Sequence, residues 1–302
     1  MIVVLSRSIS KSGMAGAREG VYMIIDCHTH IFPEDICSGR EDCCTRESAF
    51  KLLYESPKSR LVGAEALIAT MDEQEVDVSV VFGFPWKSRD LVRRNNDYII
   101  EAILKYPDRL RGFACFDLYY GDAAVETERC LDAGLSGVGE LAFYLTGIDE
   151  AALDRLGPIM EICMERGNLP VMIHTNEPVG HKYPGKTPVT LEQIYALAVK
   201  FPENNIILAH WGGGILFYNL MKKETKKTLE NIWFDTAASP FLYDASVYRV
   251  ALAAGVIDRV LFGSDYPLLK PARYFRDLDN SGLLDVDKQR VLGGNAARLF
   301  NL

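Results

Sequence analysis

The chain has 302 residues, of which 48% are hydrophobic and 25% are charged, an ordinary composition for a globular protein with a large core. Its net charge of −8 disfavours nucleic acid and anionic membrane surfaces as partners, because both carry negative charge. The seven cysteines are an odd number and follow no framework spacing, so we expect reduced thiols and a cytoplasmic location.

The first 22 residues contain only a short hydrophobic patch, which polar and glycine-rich sequence follows. We therefore expect a poorly ordered N-terminal extension at residues 1–22 and no secretory signal. No apolar run approaches the roughly 20 residues that a membrane span needs. The folded domain is predicted to occupy residues 23–302.

From residue 23 onward, eight short apolar runs alternate with segments typical of helices. Such runs, rich in Val, Ile, Leu and Phe, indicate parallel strands covered by helices. The predicted strands are residues 23–30, 76–85, 110–117, 135–141, 169–176, 205–213, 231–239 and 259–267. Predicted helices include residues 64–74, 95–107, 149–166 and 190–201. The alternation predicts an α/β fold, a single-domain (β/α)8 TIM barrel, with a long loop at residues 31–62 after the first strand.

Polar residues follow several predicted strands, at the barrel face where active sites lie. His28 and His30 end the first strand, and because side chains alternate they face one side, with Thr29 opposite. His174 ends the fifth strand and Asp265 follows the eighth, so both converge on the same face. Three imidazole nitrogens and one carboxylate suit one divalent metal ion, with Zn²⁺ preferred and Mn²⁺, Fe²⁺ or Co²⁺ as alternatives.

Five other residues are candidates for substrate binding. The loop "NEPVGHKYPGK" after strand five carries His181, Lys182 and Tyr183, which overhang the predicted metal site and could bind a carboxylate or hydroxyl group. A surface loop shaped only by its glycines and prolines is the alternative. Trp86 and Trp211 each follow an apolar stretch and could either wall the pocket or pack in the core.

Six stretches together resemble the amidohydrolase superfamily, particularly the amidohydrolase-related branch that includes aminocarboxymuconate-semialdehyde decarboxylase and several lactonases. They are "IDCHTH", "GVGEL", "VMIHTNEPVGHKYPGK", "IILAHWGGG", "RVLFGSDYP" and the closing "VLGGNAARLFNL", in order from about residue 23 to the end. The resemblance implies a TIM barrel with a C-terminal helix and metal ligation by His28, His30, His174 and Asp265. It also implies that His210, at the end of strand six, acts beside the metal as acid, base or electrostatic stabiliser.

Glu140, at the end of strand four, could line the pocket, bridge a second metal or pair with an arginine. It stands where many binuclear relatives have a carboxylated lysine. The resemblance therefore implies one metal ion, and a second ion bridged by Glu140 is the less favoured alternative. Relatives in this branch often form dimers, so a homodimer is compatible with the resemblance.

We predict a metal-dependent hydrolase acting on a small anionic or cyclic substrate, such as a lactone, amide or ester. Metal-activated water would attack, Asp265 would take its proton and His210 would stabilise the oxyanion. The alternative is a nonoxidative decarboxylase or hydratase of a small carboxylic acid that uses the same residues.

Two other classes are disfavoured. The glutamate at strand four suggests a metal-dependent deoxyribonuclease, but the net charge of −8 and the lack of a basic stripe argue against it. A barrel that binds a metabolite without turnover is disfavoured because the full ligand set and His210 are present.

Overall fold

The computed structural model describes residues 23–302, so the predicted N-terminal extension lies outside the described residues. Within this range the strands are short, parallel and largely buried, as expected for strands covered by helices. They are β1 (Ile25–His30), β2 (Val78–Phe82), β3 (Leu110–Gly112), β4 (Val138–Leu141), β5 (Val171–Ile173), β6 (Ile206–Leu208), β7 (Ile232–Asp235) and β8 (Val260–Leu261). Most strands are shorter than the sequence predicts, because the polar residues at the ends of the apolar runs lie in the loops that follow.

The strands form two parallel sheets, one of β1 to β3 and one of β4 to β8. Isolated bridges join the sheets on both sides, between Thr29 and Tyr266 and between Ala114 and Val138. These bridges close the sheets into one barrel. The prediction of a single-domain TIM barrel is therefore confirmed.

Helices follow the strands around the outside of the barrel. They are α1 (Glu34–Ser38), α2 (Arg40–Arg46), α3 (Ser48–Tyr54), α4 (Ala64–Gln74), α5 (Arg89–Lys105), α6 (Ala123–Asp132), α7 (Glu150–Glu165), α8 (Leu191–Lys200), α9 (Glu224–Thr228), α10 (Ser239–Leu242), α11 (Val247–Ala253), α12 (Ala272–Asp279), α13 (Asp285–Gln289) and α14 (Asn295–Phe300). The described chain also has an 11-residue segment at His210–Leu220, which begins with residues of positive φ and continues as 3-10 turns. A 3-10 turn lies at Ile257–Arg259 and a π-helical turn at Arg290–Gly294. A capping box at Thr190 and Gln193 defines the start of α8.

The long connection after β1 is not the loop that the sequence predicts. It folds as α1, α2 and α3, because Ile36, Cys43 and Phe50 give each short helix an apolar side chain to bury. Phe50 is fully buried and stacks on Tyr54 with ring centres 4.6 Å apart. This helical insert forms one side of the barrel mouth.

A separate apolar cluster fills the barrel interior. Its members on the strands, or just after β3, are Ile25, Cys27, Val78, Val80, Phe82, Phe113, Cys115, Met172, Ile207, Trp233 and Leu261. Ala296 and Leu299 of α14 join this cluster, and the Phe300 ring lies 6.0 Å from that of Phe113. The predicted C-terminal helix is thus confirmed, and it packs against the barrel interior. In the part of the chain from residue 23 to 302, no helix is both long and apolar enough to cross a membrane.

Candidate active site

Four histidines meet at the carboxyl end of the barrel, and each has one ring nitrogen held by an acceptor. The contacts are His28 Nδ1 to Asp235 Oδ2 at 2.8 Å, His30 Nδ1 to Gly83 O at 2.9 Å, His174 Nε2 to Gly185 O at 2.9 Å and His210 Nδ1 to Ala237 O at 3.0 Å. Because carbonyl and carboxylate oxygens only accept hydrogen bonds, each of these outer nitrogens carries a proton. The inner nitrogens, Nε2 of three histidines and Nδ1 of His174, are thereby directed into a common site.

The Glu140 carboxylate lies between these inner nitrogens. Its Oε1 is 2.9 Å from His174 Nδ1 and 3.5 Å from His210 Nε2. Its Oε2 is 3.7 Å from His28 Nε2 and 4.0 Å from His30 Nε2. One carboxylate therefore contacts all four of these histidines, two through each oxygen.

Asp265 adds a second carboxylate, with Oδ1 3.4 Å from His30 Nε2 and 3.7 Å from His28 Nε2. Burial would raise the pKa of Asp265, but the hydrogen bond with His30 and the neighbouring histidine charges lower it to about 2. Burial would likewise lower the pKa of His28, yet Asp235 and Glu140 raise it to about 10. The carboxylates thus strongly favour positive charge at this point of the barrel.

The donor set fits a divalent cation. Ligand atoms of His28, His30 and Asp265 lie within 4.8 Å of one another, and so do those of His28, Glu140 and His210. His28 Nε2 is buried and has no hydrogen-bond partner among residues 23–302, although buried polar atoms are normally paired. Imidazole nitrogens with carboxylate oxygens are donors that suit Zn²⁺ and Mn²⁺.

The backbone at this end of the barrel adopts unusual conformations that bring the donors together. Gly139, directly before Glu140, has φ +132, and a Cβ there would lie 2.5 Å from Met172 O of β5. His210 and Asp265 have φ values of 55° and 57°, in the left-handed region that residues other than glycine rarely adopt. Such strained residues are concentrated at functional sites.

Sequence reasoning missed Asp235, the last residue of β7. Its Oδ2 holds His28 Nδ1, and its Oδ1 accepts hydrogen bonds from the backbone N–H groups of His210 and Ala237 at 2.8 and 3.0 Å. One fully buried carboxylate therefore orients two site histidines. The signal available in the sequence was its place in "NIWFDTAAS", a carboxylate at the end of an apolar run.

A cavity of about 590 Å³ opens from these groups. Its buried end is lined by His30, Glu140, His174, His210 and Asp265. Its walls are mainly apolar or aromatic and include Leu53, Tyr54, Tyr144, Pro184, Phe241 and Leu242. A small substrate would therefore meet charged groups at the inner end and apolar surface along its sides.

The predicted substrate-binding residues divide into two groups. His181 and Tyr183 line the cavity, although the Tyr183 hydroxyl already donates to Glu177 Oε2 at 2.8 Å. Lys182 is exposed and lies outside the cavity lining, so it is not placed to bind substrate.

The two tryptophans also lie outside the cavity lining. Both are 0% exposed, with Trp86 Nε1 donating to Asn95 and Trp211 Nε1 donating to Ser239. They pack in the core because each indole N–H finds a buried partner there. The structure therefore corrects their assignment to substrate binding.

Comparison with known proteins identifies the family. The sequence model of the Amidohydrolase family matches residues 25–302, nearly all of the described residues. The chain belongs to this family. This confirms the superfamily membership that the sequence motifs indicate.

Several known proteins are similar to this chain at low sequence identity. Gamma-resorcylate decarboxylase of Rhodococcus jostii (strain RHA1) is 25% identical over 306 residues, covering 82% of this chain and 91% of that protein. The crystal structure of 5-carboxyvanillate decarboxylase from Sphingomonas paucimobilis has a TM-score of 0.73 and 19% identity, covering 93% of this chain and 99% of that chain. A dihydroxybenzoic acid decarboxylase from Polaromonas sp. JS666, with bound manganese and 2-nitroresorcinol, has a TM-score of 0.66 and 19% identity, covering 93% and 98%.

These relatives overturn the prediction of a hydrolase. Relatives of this chain include gamma-resorcylate decarboxylases, which are lyases that break a carbon–carbon bond. The sequence motifs could not separate the two chemistries, because the same ligand set serves both. The preference for zinc is likewise unconfirmed, since the Polaromonas structure contains manganese.

Proposed function

We propose that the chain is a metal-dependent nonoxidative decarboxylase of a small aromatic carboxylic acid. The observation that carries the proposal is the cavity whose inner end is lined by three histidines and two carboxylates, while its walls are mainly apolar or aromatic. His28 Nε2 lies 3.7 Å from each of the two carboxylates, Glu140 and Asp265. Such a pocket excludes water around a bound carboxylate, which favours its loss as uncharged CO₂. The decarboxylase relatives support the same choice over hydrolysis, which requires a water molecule in the site.

In this reaction the bond between the ring carbon and the carboxyl carbon breaks. The electron pair stays on the ring carbon, CO₂ leaves, and a proton takes its place. We assign the proton to His210 Nε2, which faces the cavity while its Nδ1 is held by Ala237 O. Burial would lower the pKa of His210, but the contact with Glu140 raises it to about 9, so the imidazole can hold a proton at neutral pH.

The proposed cation-binding residues are His28, His30, His174 and Asp265. Glu140 contacts these three histidines and His210. When bound, a divalent ion would neutralise substrate oxygens and stabilise the charge that develops as CO₂ leaves. We propose one ion per chain, either Mn²⁺ or Zn²⁺. Asp235 would keep His28 oriented toward it.

His181 and Tyr183 are proposed to close the outer part of the cavity. Tyr183 and Lys186 are both bonded to Glu177, so the loop that carries them is held together by its own contacts. We further propose a cytoplasmic enzyme with residues 23–302 as its single catalytic domain.

The proposal is tested by measuring CO₂ release from 2,6-dihydroxybenzoate and 5-carboxyvanillate. The purified protein is stripped with a chelator, reloaded with Mn²⁺ or Zn²⁺, and compared with a His210→Asn variant. We expect metal-dependent CO₂ release by the wild type and a loss of about 10²- to 10⁴-fold in the variant, the usual contribution of a general acid. Absence of CO₂ release from a panel of aromatic acids with either metal would refute the proposal.

A further inference from the structure

The oxygen atoms that hold the outer nitrogens of the four site histidines differ in how they are supported. Three of them belong to residues that end a barrel strand or follow one within two residues, namely Asp235, Gly83 and Ala237. The fourth, which holds His174 Nε2, is Gly185 O, 11 residues later in the chain than His174. Residues 177–186 contain no helix and no strand. The orientation of His174 therefore depends on the conformation of a loop.

Lys186 lies at the centre of this loop. Its Nζ donates to Glu177 Oε1 at 3.0 Å, Val179 O at 2.6 Å and His181 O at 3.4 Å. The ammonium group also lies 5.6 Å from the centre of the Tyr183 ring, and the backbone N–H of Lys186 donates to Tyr183 O. Only 13% of the side chain is exposed, although lysine side chains usually extend into water. The three donor protons of the ammonium group thus all have acceptors within the loop.

The two ends of the loop are joined to each other. Asn176 Oδ1 accepts hydrogen bonds from the backbone N–H and the hydroxyl of Thr187 at 2.7 and 2.6 Å. Closed ends and a centre filled by the loop's own side chains are typical of a compact Ω-loop. Because Gly185 directly precedes Lys186, the contacts of the lysine determine where Gly185 O points. Gly185 itself has a φ of 95°, a conformation that glycine adopts readily.

Gly185 O determines which nitrogen of His174 faces the site. A carbonyl oxygen only accepts hydrogen bonds, so Nε2 keeps a proton and Nδ1 faces Glu140 Oε1 at 2.9 Å. Without this acceptor the proton could sit on either nitrogen and the ring could rotate. A histidine that is fixed in one tautomer and one orientation binds a cation more tightly.

We propose that Lys186 is a positioning residue, which holds the loop so that Gly185 O fixes His174 with Nδ1 directed into the site. This inference rests on the proposed function, because His174 is one of the proposed metal ligands. Tyr183 and Gly185 of the same loop line the cavity, whereas Lys186 lies outside its lining. The loop therefore links one wall of the cavity to one ligand of the proposed metal ion.

A pair of lysine variants in the same loop tests this role. Lys186→Met removes the ammonium group and keeps an unbranched side chain, and Lys182→Met is the matched control because Lys182 is exposed. We expect Mn²⁺ affinity, measured by competition with a chelator, to fall about tenfold in Lys186→Met and to stay unchanged in Lys182→Met. Loss of a positive charge by itself would act in the opposite direction, since it would favour cation binding.

Histidine-selective ¹⁵N NMR of the metal-free protein gives a measurement that does not depend on the metal. The wild type should show a slowly exchanging proton on His174 Nε2, assigned by its absence from a His174→Gln variant. This proton signal should be lost in Lys186→Met and retained in Lys182→Met. The proton on His30 Nδ1, which Gly83 O accepts, is the internal control for an intact barrel.

Retention of the His174 proton signal in Lys186→Met would overturn the inference, and so would its absence from the wild type or its loss in Lys182→Met. Simultaneous loss of the His30 signal would also overturn it, because the effect would then be a general distortion. The metal measurement gives a separate answer. If the His174 signal is lost as expected but Mn²⁺ affinity does not change, His174 is not a ligand, and only the proposed metal site is disproved.

Discussion

Two buried glutamates, Glu126 in the helix layer and Glu140 at the barrel mouth, have contrasting surroundings. Glu126 on α6 is 0% exposed, and Arg129, Arg93 and Asn96 donate to its oxygens at 2.7 to 3.0 Å. Glu140 is 2% exposed, and its charged neighbours within 4.0 Å are histidines.

The difference lies in the permanence of the neighbouring charge. Burial raises the pKa of Glu126, but Arg129 and Asn96 lower it below its usual value, and arginine never loses its proton. Burial alone would raise the pKa of Glu140, but His174 and His28 outweigh this effect and hold the pKa well below its usual value. A histidine can release its proton and bind a metal cation instead, so the positive charge beside Glu140 can come from protons or from a cation. Glu126, in contrast, belongs to a fixed ion pair with arginines.

The largest effect is expected from removing a proposed metal ligand. His28→Ala and Asp265→Ala should lose the bound metal and reduce CO₂ release by about 10³-fold or more, because several kcal/mol of charge stabilisation is lost. Metal content measured by mass spectrometry should be about one equivalent in the wild type and near zero in both variants. Asp244→Ala, an exposed carboxylate outside the ligand groups, is the control.

Retention of the metal by either variant would contradict the assigned ligand set. Two equivalents in the wild type would instead make Glu140 a bridge, since one of its oxygens faces His28 and His30 and the other faces His174 and His210.

Exchanging each glutamate for glutamine tests the comparison directly. Glu126→Gln should lower the free energy of unfolding by about 3 kcal/mol, because two arginines lose a buried counter-charge, while activity is retained below the melting temperature. Glu140→Gln should abolish activity without a comparable loss of stability. Urea unfolding and the CO₂ assay measure the two properties, and a loss of the same property in both variants would invalidate the distinction.

Asp235→Asn should have an intermediate effect. The amide keeps the shape of the side chain but removes the negative charge that fixes the His28 proton on Nδ1. We expect metal affinity to fall by about 10- to 100-fold, with the folded structure maintained. Competition with a chelator measures the affinity, and an unchanged value would show that Asp235 only supports the loop after β7.

The smallest effect is expected from Arg93→Ala. Arg93 is 35% exposed and contacts Glu126 Oε2 at 3.0 Å, but Arg129 remains to neutralise the same carboxylate. We expect a loss of about 1 kcal/mol in the free energy of unfolding and no change in CO₂ release. A loss as large as that of Glu126→Gln would mean that Arg129 does not compensate.

The strands could be predicted from the sequence, because apolar runs of this length leave few alternatives to buried parallel strands. The convergence of His28, His30, His174 and Asp265 could also be predicted, because the carboxyl ends of parallel strands meet at one face of a barrel. The helical insert α1 to α3 could not, since its short apolar segments depend on packing against one another. Simple alternation of side chains was also insufficient to predict which way each residue of β1 faces. The pairing of β1 with β2 shifts register between Asp26 and Thr29, so strict alternation fails beside His28.

The chemistry was the least predictable part. Hydrolysis and decarboxylation need the same ions and acids, and they differ in whether water reaches the substrate, which depends on walls supplied by several loops. The tryptophans illustrate the same limit. A sequence places Trp86 and Trp211 beyond strands, but only the fold shows that their N–H groups are turned toward Asn95 and Ser239.

The proposed ligands extend from His28 near the start of the folded chain to Asp265, which follows its last strand. Asp265 N donates to His28 O at 2.9 Å, so these two positions become neighbours only when β1 and the segment after β8 have come together. During synthesis on the ribosome, the proposed metal site is therefore incomplete until almost the entire barrel has been synthesised. A nascent or truncated chain has only part of this donor set. A complete site therefore forms only after both ends of the domain have been synthesised and have paired.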